Sequence, residues 1–171
     1  MASELPEQID CRQLAAGDGR LTGVIGRARL ARVASPYRLA GDLAATVDVA
    51  PRAGGGYTVS GRLEVALEAQ CQRCLEWMNW PVNATLDVVA VDRPLAAHEE
   101  EEDWLELADG MLPLREVLED ELLLSCPYAP LHEAADCAGE VARESGETPA
   151  PADRRRPFAN LGEMLKSRER E

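Results

Sequence analysis

Three successive segments alternate between apolar and polar residues, and that pattern limits the fold more than any other feature of the chain. In the stretch from Leu39 to Val49, Leu43, Ala45, Val47 and Val49 alternate with Asp42, Ala44, Thr46 and Asp48. From Tyr57 to Ala69, Val59, Leu63, Val65 and Leu67 share one parity, while Ser60, Arg62, Glu64 and Glu68 hold the other. From Trp80 to Val91 the apolar set is Val82, Ala84, Leu86, Val88 and Ala90. A period of two places alternate side chains on opposite faces of a sheet, so each segment reads as a half-buried strand. The links between them, one of them Gly54-Gly55-Gly56, are short, which favours an antiparallel meander. There is no strand–helix–strand alternation to suggest a parallel nucleotide-binding sheet. The triple glycine precedes a strand, not a helix, so it does not form a phosphate loop.

One helix is well marked. Leu114, Val117, Leu118 and Leu122 make a stripe at helical spacing, Pro113 suits the first helical position, and Pro127 enforces a stop, which predicts a helix over 113–124. Before the strands, Ile9 to Leu14 reads as a short strand closed by Gly17-Asp18-Gly19. Leu21 to Val33 is ambiguous. Val24, Ala28, Ala31 and Ala34 sit at helical spacings, but Gly23 and Gly26 each weaken a helix by about 1 kcal/mol relative to Ala. Residues 96–109 include the run Glu99 to Asp103 and read as a solvated acidic linker. Residues 139–156, rich in Pro, Gly, Ala and charge, read as a further linker. Beyond it Phe158, Leu161 and Leu165 predict a short amphipathic helix. The expected organisation is an α+β domain over 1–138, comprising the meander, a packed helix and a flexible acidic loop. A linker over 139–156 and a C-terminal helix or tail over 157–171 follow it.

Charge narrows the function. The 171 residues contain 18 Lys+Arg and 31 Asp+Glu, for a net −13, and hydrophobic residues make up 46% but aromatic ones only 4%, so the core must come from Leu, Val and Ala. Residues 1–62 carry a net +2, residues 63–153 a net −18 and residues 154–171 a net +3. Binding that coats a nucleic acid or an anionic lipid surface needs many cations, so both are disfavoured. A polyanion would be met only at the ends, the basic triplet Arg154, Arg155 and Arg156 among the candidates, whereas a basic protein would be drawn to the middle. The bland alternative for the triplet is solvated linker charge. No apolar run approaches the ~20 residues that span a bilayer, and the first residues lack a signal-peptide pattern. The expectation is a soluble, cytoplasmic protein with no membrane partner.

Five cysteines stand at 11, 71, 74, 126 and 137. Cys71 and Cys74 form a C-x-x-C in the connector between two expected strands, a spacing that lets two thiolates grip one tetrahedral ion. His132 and Cys137 lie just beyond the Pro127 stop and would complete a Cys3His set for structural zinc. The halves are 58 positions apart, so only the fold can unite them. The alternative is that these are reduced thiols and a surface imidazole holding no ion. Cys11 and Cys126 fit neither half and read as small buried residues, with Cys126 a possible substitute ligand. A thiol oxidoreductase using Cys71 and Cys74 is a minor reading, because activated C-x-x-C thiols usually sit at a helix N-terminus. His132-Glu133-Ala134-Ala135-Asp136 lacks the second His of a metalloprotease helix, and the zinc-deaminase order is absent. His98 lies in the acidic run and reads as solvated. No nucleophile–base pair stands out, and nothing indicates a small-molecule substrate or fixes the oligomeric state.

Three blocks together resemble a known family. Glu68 to Leu75, with Cys71-Gln72-Arg73-Cys74, is similar to the C-Q-R-C signature of the YceD family, the large ribosomal RNA subunit accumulation proteins of bacteria and plastids. Glu119 to Leu124 followed by Pro127, Pro130, His132 and Cys137 resembles its second signature. Arg156-Pro157-Phe158-Ala159-Asn160-Leu161 with Leu165-Lys166 resembles its ending, except that Arg156 stands where Asn is usual. The resemblance spans residues 68–166 and is loose in the N-terminal third. It implies a cytoplasmic, non-enzymatic factor in synthesis, processing or stability of large-subunit rRNA, with Cys71, Cys74, His132 and Cys137 as companions at one site. Its expected partners are large-subunit rRNA or ribosomal proteins. The rival reading is a protein-only adaptor or chaperone that holds basic ribosomal proteins.

Overall fold

Strands that alternate in this way bury one face of a sheet and wet the other. The structure, a computed structural model, describes residues 3–92, 104–133 and 137. In chain order its elements are β1 (Ile9–Asp10), α1 (Cys11–Ala16), β2 (Arg20–Ile25), β3 (Tyr37–Leu39), β4 (Leu43–Pro51), β5 (Tyr57–Gln70), β6 (Trp77–Val91), β7 (Trp104–Glu106), β8 (Met111–Leu112) and α2 (Leu114–Ser125). A 3₁₀ turn at Arg27–Arg29 follows β2. The larger sheet has the order β2-β4-β5-β6-β7, with β3 also paired to β5, and β1 and β8 form a separate pair. This is an α+β arrangement.

The pairing register explains the core. Val59 lies opposite Val49 on β4 and Val88 on β6, and Leu63 lies opposite Ala45 and Ala84. Leu43, Ala45, Val47, Val49, Val59, Leu63, Val65, Leu67, Val82, Leu86, Val88 and Ala90 are buried on one face. Helix α2 packs on β6 and contributes Leu114, Val117, Leu118 and Leu122 to that core. Each such side chain, fully buried, contributes about 1.5–3 kcal/mol. On the other face, Thr46, Asp48, Ser60, Arg62, Glu64, Thr85 and Asp87 are among the residues lining an open depression.

Among the described residues, Glu119 is the one buried charged side chain. Its carboxylate accepts the Arg32 backbone N–H at 2.8 Å and lies 3.5 Å from an Arg115 guanidinium nitrogen. In the sequence it looks like one more solvent-facing helix acid. Its partners explain why burial does not orphan it.

Several expectations are corrected. Only Ile9 and Asp10 of the expected 9–14 strand are extended; the rest is α1, because the Asp10 carboxylate accepts the Gln13 N–H at 2.9 Å and caps the helix. The ambiguous stretch resolves as β2 and the 3₁₀ turn. Residues Ser3 to Leu5 run along β2, with Leu5 N–H donating to Val24 O at 2.8 Å and Val24 N–H to Ser3 O at 2.9 Å. A Cβ on Gly23 would fall 2.3 Å from the Ser3 carbonyl oxygen, so that glycine serves close approach and not a helix. Strand β6 begins at Trp77 instead of Trp80, which shortens the connector to Cys71–Glu76. Pro113 is the N-cap of α2 rather than its first helical residue. Within the expected acidic linker, Trp104–Glu106 pairs in parallel with the end of β6, and Leu107 is buried behind it. Three residues are too few to show a period, so sequence pattern could not separate them from the acids before them. The acidic run 99–103, the 139–156 linker and the terminal helix lie outside the described residues.

Candidate metal centre

The C-x-x-C occupies the reversal between β5 and β6. Cys71 N–H donates to Glu76 O at 2.9 Å, and Leu75 N–H donates to Cys71 O at 2.9 Å. The Gln70 side-chain amide donates to Leu75 O at 3.0 Å, and Arg73 N–H points at Cys71 Sγ at 3.4 Å. This closed turn leaves both thiols on one side. It lies between two strands and not at a helix N-terminus.

The other half of the site arrives on an arm. Helix α2 ends at Ser125, whose hydroxyl donates to Leu122 O at 2.7 Å, and Pro127 follows. Two hydrogen bonds then hold the arm: the Tyr37 hydroxyl donates to the Pro127 carbonyl, and Gln72 N–H donates to the Pro130 carbonyl at 2.9 Å. The second comes from inside the C-x-x-C itself. They deliver His132 Nδ1 to 3.3 Å from Cys74 Sγ, and Cys137 Sγ lies 3.9 Å from Cys71 Sγ. All four ligand atoms fall within 4.8 Å of one another; Cys71 and Cys137 are buried, and Cys74 and His132 are half-buried.

A tetrahedral ion held at about 2.3 Å from sulfur and 2.0–2.1 Å from nitrogen separates its ligands by roughly 3.5–3.8 Å. The observed 3.3 and 3.9 Å lie close to that range and every other pair falls inside 4.8 Å, so the residue set could close on a four-coordinate ion. Electrostatics point the same way. Burial opposes the Cys71 thiolate, but the backbone N–H groups of Cys74, His132 and Arg73, with the His132 side chain, outweigh it and bring the thiol down to about 5. At Cys74 the Glu76 N–H favours the thiolate, yet burial and the neighbouring thiols of Cys71 and Cys137 push the pKa up. The pocket thus accepts one negative charge and resists the next, a repulsion that a dication relieves.

The four residues singled out in the sequence are therefore brought together, and the cluster could hold a metal ion. Cys11 is fully buried in the core, where burial pushes its thiol up to about 11; Cys126 is half-buried against the core, outside the cluster. Arg154, Arg155 and Arg156 lie outside the described residues. Sequence reading missed Tyr37 and Gln72, because a donor bonded to a distant backbone carbonyl leaves no mark in residue type or spacing. No helix among the described residues is long and apolar enough to cross a membrane.

Residues 59–165 match the family model described as large ribosomal RNA subunit accumulation protein YceD. The chain is also 28% identical, over 117 residues, to the large ribosomal RNA subunit accumulation protein YceD of Haemophilus influenzae. That alignment covers 62% of this chain and 64% of the relative, so the chain spans a little under two thirds of that protein's length. No solved structure matches the chain. The span matched by the family model contains all of β5 but its first two residues, together with β6, α2 and all four residues of the cluster.

Proposed function

This chain belongs to the YceD family of large ribosomal RNA subunit accumulation proteins, and from that premise we propose that it is a cytoplasmic, non-catalytic factor that supports accumulation of large-subunit rRNA. The observation that carries the reading is the family match over residues 59–165, which takes in both halves of the Cys–His cluster. The family is named for the accumulation of an RNA and not for a reaction it catalyses.

In this reading Cys71, Cys74, His132 and Cys137 hold one structural zinc ion. When bound, the ion supplies a cross-link between the β5–β6 reversal and the arm after α2. Contact with RNA falls to the basic C-terminal triplet Arg154, Arg155 and Arg156, and the acidic middle engages basic ribosomal proteins. A second reading, a protein-only adaptor for basic ribosomal proteins, is favoured by one observation, the net charge of −13.

Depleting the protein in its host should lower large-subunit rRNA relative to small-subunit rRNA, and an unchanged ratio would remove the reading. A gel shift with large-subunit precursor RNA across a salt series separates the two versions. Binding that weakens steeply with salt, and also when the three arginines become Ala, supports RNA contact. No binding at low salt favours the adaptor.

A further inference from the structure

Six large apolar side chains are exposed among the described residues, and four of them lie on the two segments that carry the Cys–His cluster: Leu75 (62% exposed), Trp77 (40%), Tyr128 (100%) and Leu131 (45%). Leu75 and Leu131 each adjoin one member of the Cys74–His132 contact. Tyr128 stands on the arm between the anchored carbonyls of Pro127 and Pro130. Trp77 opens β6 directly after the turn, with the Arg38 guanidinium 4.1 Å from its ring centroid.

Leu75 is costly twice over. It exposes an apolar side chain to water, and it holds φ at 64°, in the left-handed region that Gly or Asn occupies at less cost. The turn needs only its backbone, since its N–H bonds Cys71 O and its carbonyl accepts from Gln70. Residues held in such regions collect at functional and binding sites. Exposed Trp and Tyr, with Arg against the Trp ring, also match the composition of binding hot spots, and the leucines add apolar area beside them.

Charge selects the occupant. Residues 114–133, the helix and arm that carry Tyr128 and Leu131, contain one Arg against four carboxylates outside the core, Glu116, Asp120, Glu121 and Glu133, and the whole chain is at −13. An RNA strand, or a second copy of this chain, would bring like charge onto that surface; a basic protein would not. We propose that the rim formed by Leu75, Trp77, Tyr128 and Leu131 is a docking surface for a basic protein. The partner's apolar side chains meet the rim, and its Lys and Arg residues meet the acids of α2. The choice of partner class, a Lys- and Arg-rich protein of the large ribosomal subunit, rests on the family reading above.

The test titrates the full chain with individually purified, RNA-free proteins of the large ribosomal subunit and, separately, with protein-free large-subunit rRNA. At least one ribosomal protein should bind. Leu75→Asn and Tyr128→Ser should each weaken that binding by about tenfold without lowering the melting temperature. Thr85→Ala, on the polar face of the sheet, should change nothing. The proposal is overturned if no ribosomal protein binds, or if both rim variants bind as the unaltered chain does. Binding of free rRNA that these variants weaken would assign the rim to RNA, and self-association lost in Tyr128→Ser would assign it to a second copy; either overturns the proposal. Cells separate this failure from that of the family reading. If depletion lowers large-subunit rRNA and Tyr128→Ser restores it fully, the docking surface is refuted while the family reading stands. If depletion leaves the rRNA unchanged, the family reading itself has failed.

Discussion

Between Arg52 and Gly56 the chain turns into β5 on two glycines at φ 95° and 77°, whereas between Cys71 and Glu76 it turns out of β5 with a leucine at 64°. Backbone hydrogen bonds close both reversals: Gly55 N–H to Arg52 O and Arg52 N–H to Gly56 O, each at 3.1 Å, in the first, and the Cys71–Glu76 and Leu75–Cys71 pairs in the second. The first is made of residues that suit its conformation and offer little else. The second keeps residues whose backbone conformation costs more, and their side chains explain why. Two thiols face His132 and Cys137, and a leucine faces solvent. A reversal that only has to reverse is filled for local ease; one whose thiols join a cluster that could hold a metal ion is filled for what its side chains reach.

The strongest test of that contrast removes the proposed zinc ion. Stripping zinc with a chelator, or Cys71→Ser, should abolish stoichiometric metal and cost on the order of 4 kcal/mol, a fall in melting temperature of about 10 °C. Elemental analysis and thermal melts check both. An unaltered melt would mean that backbone alone closes the second reversal, as it closes the first. Next in size is damage to the glycine turn. A Cβ on Gly56 would sit 2.4 Å from the Ala90 carbonyl oxygen, at a positive φ, so Gly56→Ala should destabilise by about 2–4 kcal/mol. Zinc content should stay at one per chain. Loss of zinc in Gly56→Ala would show that the two reversals are coupled through β5. Smaller again is Tyr37→Phe, which keeps the ring but removes the donor to the Pro127 carbonyl. It should cost about 1 kcal/mol in stability and weaken zinc about tenfold in a chelator competition.

The same contrast marks where the sequence was legible. Val59, Leu63, Val65 and Leu67 announced β5 because a sheet wet on one side imposes a period of two over the full strand. Cys71, Cys74, His132 and Cys137 stood out by residue type, because three thiols and an imidazole are the donors a tetrahedral site uses, and the fold brings their ligand atoms together. Elements set by a single polar contact stayed hidden. Asp10 converts an apparent strand into α1 through one capping bond, and Glu119 is buried because Arg32, 87 positions earlier, presents a backbone N–H to it. Tyr37 and Gln72 hold the arm through carbonyls of Pro127 and Pro130, and any residue has a carbonyl. Periodic burial and ligand chemistry are written in residue identity; tethers to the backbone are written only in the fold.

Leu75→Gly sharpens the comparison with the smallest expected effect, because it gives the second reversal the residue type of the first. Relief of a left-handed non-glycine backbone is worth about 1–2 kcal/mol. Against it stands the extra freedom glycine gains in the unfolded chain, about 0.5–1 kcal/mol. The exposed leucine side chain adds little, since it is 62% accessible in the folded protein. The difference leaves a net stabilisation of about 0.5 kcal/mol, a rise of roughly 1–2 °C in melting temperature with zinc content unchanged. A rise of that sign would mean that the folded chain by itself has no need of the leucine. A fall would place the Leu75 side chain among the contacts that hold the second reversal together, and the distinction between the two reversals would then lie in packing within the protein instead of in what the second presents to a partner.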